Sequence, residues 1–295
     1  MLRTRLLVGS TLAALMLGAL FLDDRFAPSY PILFVTVALV GLLSCHELLS
    51  LIPYSRRPSW WLCHSGVLFV IAANWSRYLY VLDPAVVPWP DPWRLIVVGV
   101  AAVVVLAFLR EMVFFKGPGE SISRVAFTGF TVVYLGVLAS FLIQHRWLPA
   151  LGGDAQRATH ALLLTIFVPK CCDIGAYLTG RAIGRHRMTP LLSSKKTWEG
   201  AAGGVVLAVV VALAGSWLGR QPELWVVKAV LYGVTVGAAG MLGDLAESMI
   251  KREGQKKDAS QSVPGFGGVL DVVDSLLFAA PVSYLWFTTS WATPL

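Results

Sequence analysis

The sequence predicts an all-α, polytopic membrane bundle of about nine transmembrane helices, and two observations carry that prediction. The 295 residues are 56% hydrophobic and only 14% charged, with a mean hydropathy of +0.69, far too apolar for a soluble globular domain. Nine apolar runs, at 6–22, 31–53, 60–75, 94–112, 125–143, 158–180, 197–218, 225–249 and 266–290, approach the roughly 20 residues that a helix needs to cross a bilayer core. Nearly the whole chain is thereby committed to membrane, which leaves no room for a separate soluble domain.

The first run follows a basic start, "MLRTR", as a secretory leader would. It is expected to stay as a span, because no small-residue cleavage motif follows and the next run begins within ten residues. Runs two to five are Val, Leu and Ala stretches. Their loops are rich in Pro and Trp, such as "DPAVVPWPDPW" at 83–93, a composition suited to the membrane interface. His46 and Glu47 are the exceptions in this half, near the end of the second run, where ionisable groups either serve a site or snorkel to the interface. Residues 1–150 are therefore expected to form a chemically quiet N-terminal helical region, and residues 151–295 a catalytic one whose site faces the cytoplasm.

From the sixth run onward, ionisable residues enter the spans: Lys170 and Asp173, Glu199, Asp244 and Glu247, then Asp271 and Asp274. A charge at mid-membrane costs about 2.5 to 3.5 kcal/mol on insertion scales, so these groups must face one another, water or a cation. Their spacing says how. Asp244, Glu247, Ser248 and Lys251 stand at i, i+3, i+4 and i+7, one side of one helix; Asp271 and Asp274 are an i, i+3 pair on another; Lys170, Asp173 and Tyr177 repeat the pattern on a third. Glycine sets at 200, 203, 204 and at 237, 240, 243 read as close helix packing, and helices so rich in small residues suit a homodimer. The glycines Gly265, Gly267 and Gly268 come just before the last run, where backbone N–H groups and the helix dipole favour an anion.

The charge balance sets orientation. With the N-terminus cytoplasmic, sixteen of the 24 Lys and Arg residues fall on that side and seven on the other, which places the C-terminus outside. The net charge of +7 then reads as a cytoplasmic rim suited to anionic lipid head groups or phosphates, and nothing in the pattern points to nucleic acid. The four cysteines, Cys45, Cys63, Cys171 and Cys172, lie in or beside spans without metal or disulfide spacing and are expected as buried apolar side chains.

Asp244, Asp271 and Asp274 would repel one another without a cation, and Mg²⁺ takes one or two carboxylates together with phosphates and water. Lysines at 195, 196, 251 and 257, with Arg252, supply phosphate partners. Carboxylates, a divalent metal and lysines describe nucleotidyl or phosphoryl transfer, and no P-loop is present. The same spacing also suits an ion path in a carrier, or structural ion pairs.

The stretch "SMIKREGQKKDASQSVPGFGGVLDVVDS" at 248–275 resembles the signature of the phosphatidate cytidylyltransferases, or CDP-diacylglycerol synthases. That signature runs S-x-x-K-R, four residues, K-D, a spacer, G-H-G-G, a hydrophobic pair and D-R-x-D. Ser248, Lys251, Arg252, Lys257, Asp258, Gly265, Gly267, Gly268, Asp271 and Asp274 fall at its positions. "GDLAES" at 243–248, "SSKKTWEG" at 193–200 and "DIGAYLTGRAIGRH" at 173–186 resemble further blocks of that family, in its order. The resemblance implies a membrane enzyme that joins CTP to phosphatidic acid or a related lipid phosphate, with Mg²⁺ and room for a second cation. It implies metal binding by Asp244, Asp271 and Asp274, and phosphate binding by Lys195, Lys196, Lys251, Arg252 and Lys257. Asp173 and Asp258 would orient those bases or the ribose, and Glu247, Ser248, Gly265, Gly267 and Gly268 would line the substrate site. A CTP-dependent kinase of polyprenols is the related chemistry. Two positions depart from the signature: Phe266 replaces its histidine and Val272 its arginine, so two polar contacts are absent. Arg181, Arg185, His186 and Arg187 are the nearest replacements in motif order.

Overall fold

The computed structural model describes residues 2–83, 91–148, 155–218, 225–256, 258–265 and 267–289. Its helices are α1 (Leu2–Asp23), α2 (Pro31–Leu51), α3 (Trp60–Ala73), α4 (Ser76–Leu82), α5 (Pro92–Val113), α6 (Ser121–Val132), α7 (Leu138–Ile143), α8 (Ala155–Ile183), α9 (Trp198–Leu218), α10 (Trp225–Glu253) and α11 (Val269–Thr288). A π-helical turn, Val133–Val137, joins α6 to α7. The two short strands β1 (Arg187–Thr189) and β2 (Ser193–Thr197) pair antiparallel between α8 and α9. Among the described residues, seven helical segments are long and apolar enough to cross a membrane: α2, α5, the α6–α7 segment to Trp147, α8, α9, α10 and α11. The protein is thus an all-α, multi-pass membrane protein. Of the nine runs in the sequence, those at 6–22 and 60–75 lie on helices outside these seven, and α3 has 14 residues.

Helix starts are set by local chemistry. Pro31 opens α2, and the Asp23 carboxylate accepts from the backbone N–H of Ile32 at 2.9 Å and Leu33 at 3.2 Å, two donors the helix itself leaves unpaired. Asp91 caps α5 in the same way through Trp93 N–H at 3.1 Å, again with proline at the first position.

The chain divides into two compact units. The first, Met1–Ile143 with Gly254–Val272, packs α2, α3, α5 and α6 around buried Cys45, Leu48, Cys63, Val67, Ile71, Ile96 and Val132. The second, Gln144–Glu253 with Val273–Leu295, centres on Leu164, Val168, Cys172, Ala208, Ala212, Tyr232, Val236 and Ala279. All four cysteines are free thiols; three are buried and Cys171 is half-buried.

Helices α8 and α9 approach so closely that backbone meets backbone. Gly200, Gly204, Ala208 and Ala212 recur every fourth residue along the buried side of α9, and Gly175 on α8 faces them. A Cβ on Gly204 would lie 2.7 Å from the Cys172 carbonyl oxygen, and one on Gly200 2.8 Å from that of Ala176. Gly204→Val is therefore expected to destabilise the protein by about 1 to 3 kcal/mol through overpacking. A drop in the apparent melting temperature in detergent checks this, with Gly18→Val, which has open space around it, as the comparison.

Candidate metal and phosphate site

The second unit gathers a set of its ionisable residues at one place. Asp244 and Glu247 come from α10, Asp274 from α11, Lys170 and Asp173 from α8, and Lys196 from β2. One oxygen from each of Asp244, Glu247 and Asp274 lies within 4.8 Å of the other two. Glu247 is fully buried, Asp274 is 5% exposed and Asp244 half-buried, so the group opens to solvent on one side only. Taking this much carboxylate out of water is costly unless cations accompany it.

Three lysines do so. Lys196 Nζ stands 2.7 Å from Asp244 Oδ2, and Lys251 Nζ pairs with Glu247 Oε2 one helical turn away. Lys170 Nζ lies 3.6 Å from Asp274 Oδ1 and 3.9 Å from Asp173 Oδ2, and it donates to the Ser275 hydroxyl at 2.7 Å. Each carboxylate of the cluster therefore has one ammonium as its counter-ion. The helical register explains the arrangement on α10, where Asp244, Glu247 and Lys251 share a side; Lys170 and Asp173 do the same on α8.

The β1–β2 hairpin holds Lys196 in place. Glu199, in the first turn of α9, accepts from the backbone N–H of Arg185 at 3.1 Å and of His186 at 3.2 Å, and pairs with the His186 ring at 2.5 Å. Thr197 Oγ1 accepts from Gly200 N–H at 3.1 Å, which caps the helix. Lys195, next to Lys196 on an extended strand, is exposed. Arg252 is exposed and donates from Nε to the Leu192 carbonyl at 3.3 Å; Ser248 is half-buried on α10. Arg181 Nη1 donates to the Tyr177 hydroxyl at 3.3 Å.

The remaining signature residues belong to the first unit, where they build the entry to α11. Gly265 (φ 85°) and Gly267 (φ 112°) take backbone conformations that L side chains rarely adopt, and Val263 and Gly267 exchange two backbone hydrogen bonds across the turn. Asp271 Oδ2 accepts from Gly268 N–H at 2.6 Å and Ala259 N–H at 3.2 Å. Glu47, buried at 5% exposure, completes the cap. Its Oε1 accepts from the hydroxyls of Ser260 and Ser262, both at 2.6 Å, and from Val269 N–H at 3.0 Å, while Oε2 accepts from Leu270 N–H at 2.8 Å. A Cβ at Gly268 would lie 2.5 Å from Glu47 Oε2, so a side chain there would displace the cap. The donors at this helix start thus bind carboxylates of the chain itself. Asp258 is exposed and Val272 half-buried; Lys257 and Phe266 lie outside the described residues.

Among the described residues, the carboxylates that the structure brings together are therefore Asp244, Glu247 and Asp274. Lys170 is the residue that spacing alone did not bring into the site. Its partner Asp274 is 104 residues away, and the one signal was its i, i+3 relation to Asp173.

Comparison with known proteins gives a consistent answer. The profile of the Cytidylyltransferase family matches residues 3–290. A phosphatidate cytidylyltransferase of Synechocystis sp. is 43% identical over 126 residues, 42% of each chain. One of Haemophilus influenzae is 38% identical over 138 residues, 45% of this chain and 48% of its own. One of Bacillus subtilis is 32% identical over 185 residues, 63% of this chain and 66% of its own. The matched region spans between two fifths and two thirds of these relatives' length. With the family profile covering nearly all of the sequence, this chain belongs to the cytidylyltransferase family.

Proposed function

We propose that the protein is an integral membrane nucleotidyltransferase that joins CTP to phosphatidic acid, forming CDP-diacylglycerol and pyrophosphate. The observation that carries this reading is the juxtaposition of Asp244, Glu247 and Asp274, whose oxygens lie within 4.8 Å, with Lys196, Lys251 and Lys170. The relatives named as phosphatidate cytidylyltransferases support the choice of nucleotide and acceptor.

The three carboxylates fit a divalent cation: they are hard oxygen donors, close together and open to solvent on one side, as Mg²⁺ prefers when it shares its shell with phosphates and water. Asp244, Glu247 and Asp274 would hold such a cation, which would supply charge neutralisation for a bound triphosphate. Lys196 and Lys251 bind phosphate oxygens. The lipid phosphate is already anionic at neutral pH, so its oxygen attacks the α-phosphorus of CTP in line without a dedicated general base. Positioning and charge neutralisation then account for most of the rate. Asp173 orients Lys170. Lys195, Arg252, Lys257 and Asp258 keep the substrate roles that the signature implies, and Asp271 its metal role, on the sequence alone. Because a phenylalanine at 266 and a valine at 272 have no polar group to offer, phosphate recognition falls to the lysines and Arg252. Residues 151–295 hold the catalytic region, and the cytoplasmic excess of Lys and Arg supports a cytoplasmic N-terminus and a site facing that side.

CTP labelled at the α-phosphate distinguishes the chemistries. The label is expected in a lipid product made from phosphatidic acid. A γ-label in the lipid, with CDP released, would mean a kinase instead. No turnover and no CTP binding would favour a carrier.

A further inference from the structure

Four carboxylates, Asp173, Asp244, Glu247 and Asp274, face three ammonium groups in the second unit, which leaves one net negative charge. Such a site repels a triphosphate. A divalent cation changes the sign: the same residues then carry one net positive charge. The carboxylates that a cation would take are also the ones the lysines face, Asp244 Oδ2 lying 2.7 Å from Lys196 Nζ and Asp274 Oδ1 3.6 Å from Lys170 Nζ.

From this we propose that Lys196 and Lys251 are built-in counter-cations that a divalent metal displaces, so that metal binding hands both over to anionic phosphate. Lys170 stays behind, because the Ser275 hydroxyl accepts from it at 2.7 Å and Asp173 flanks it. It acts as a positioning residue that holds Asp274 and sets how tightly the cluster takes a metal. The exchange makes recognition ordered: the anion site forms only after the cation is in place, and until then the three clustered carboxylates each keep an ammonium partner. The inference rests on the metal reading above, not on the identity of the nucleotide or lipid.

The sign of the effect is unusual, which makes it testable. Removing an ammonium leaves the carboxylates more negative, so Lys170→Met should bind metal more tightly while binding nucleotide more weakly. Two like charges a few ångströms apart, partly shielded from solvent, predict at least about tenfold tighter metal binding. The measurement is the Kd for Mn²⁺ alone, by electron paramagnetic resonance of the free ion, on the full chain in detergent without nucleotide or lipid. Lys170→Arg, which keeps the charge, should stay close to wild type. Lys196→Met, on the more open side of the cluster, should also tighten Mn²⁺ binding and raise the KM for CTP, and it serves if Lys170→Met does not fold. Unchanged or weaker Mn²⁺ binding in the folded Met variants would overturn the proposal while leaving the metal reading intact. Absence of Mn²⁺ binding in the wild-type chain would overturn the metal reading itself.

Discussion

Asp274→Asn is expected to lower Mg²⁺-dependent turnover of CTP by about a hundredfold to a thousandfold, the loss usual when one preorganised charge-stabilising group is removed from a reacting centre. Asp274 is buried and supplies one of three clustered oxygens, so the amide removes charge where the other two carboxylates cannot substitute. The substitution is nearly isosteric and leaves α11 intact, and an unchanged circular dichroism spectrum would separate lost chemistry from lost fold. Initial rates over a range of Mg²⁺ concentrations check it. Turnover within a few-fold of wild type at saturating Mg²⁺ would remove Asp274 from the site.

Glu47→Ala is expected to give the largest loss of stability. It takes the acceptor from two backbone N–H groups at the start of α11 and from two serine hydroxyls, in a position only 5% exposed. Buried donors left without an acceptor cost about 1 to 3 kcal/mol each, moderated by water entry at the helix end, so a loss of about 2 to 4 kcal/mol is anticipated. Faster hydrogen exchange at Val269 and Leu270 and a lower apparent melting temperature would show it. Glu47→Gln, which keeps one oxygen as an acceptor, should lose less than half as much. Equal losses for the two substitutions would mean that the negative charge, not the hydrogen bonding, anchors the helix.

Much of the architecture is legible in the sequence because a membrane helix is written as one uninterrupted apolar run, and among the described residues each of the nine runs falls largely on helical segments. Their ends are less legible. Helix α10 runs on to Glu253, past the apolar stretch, because Lys251 and Arg252 continue the helix into the polar region. The β1–β2 hairpin carries no alternating apolar pattern to announce it; "RMT" and "SSKKT" read simply as a polar loop. Within the site, relations inside one helix were readable, as with Glu247 and Lys251 four residues apart. Relations across the chain were not. Glu47 stands out as an intramembrane acid, but its hydrogen-bond partners lie 213 to 223 residues away, and no local spacing distinguishes a helix cap from a catalytic group. The same holds for Gly268, where a Cβ would meet the Glu47 carboxylate, a contact that no local spacing announces.

The central claim is that a divalent cation on these carboxylates, with the lysines around them, joins a nucleotide to a lipid phosphate. Pyrophosphate release by the purified protein in lipid micelles with Mg²⁺ and CTP, measured with and without phosphatidic acid, tests it most directly. Release that requires both Mg²⁺ and phosphatidic acid is the predicted result. CTP bound without pyrophosphate release, with phosphatidic acid present and Mg²⁺ saturating, would contradict it.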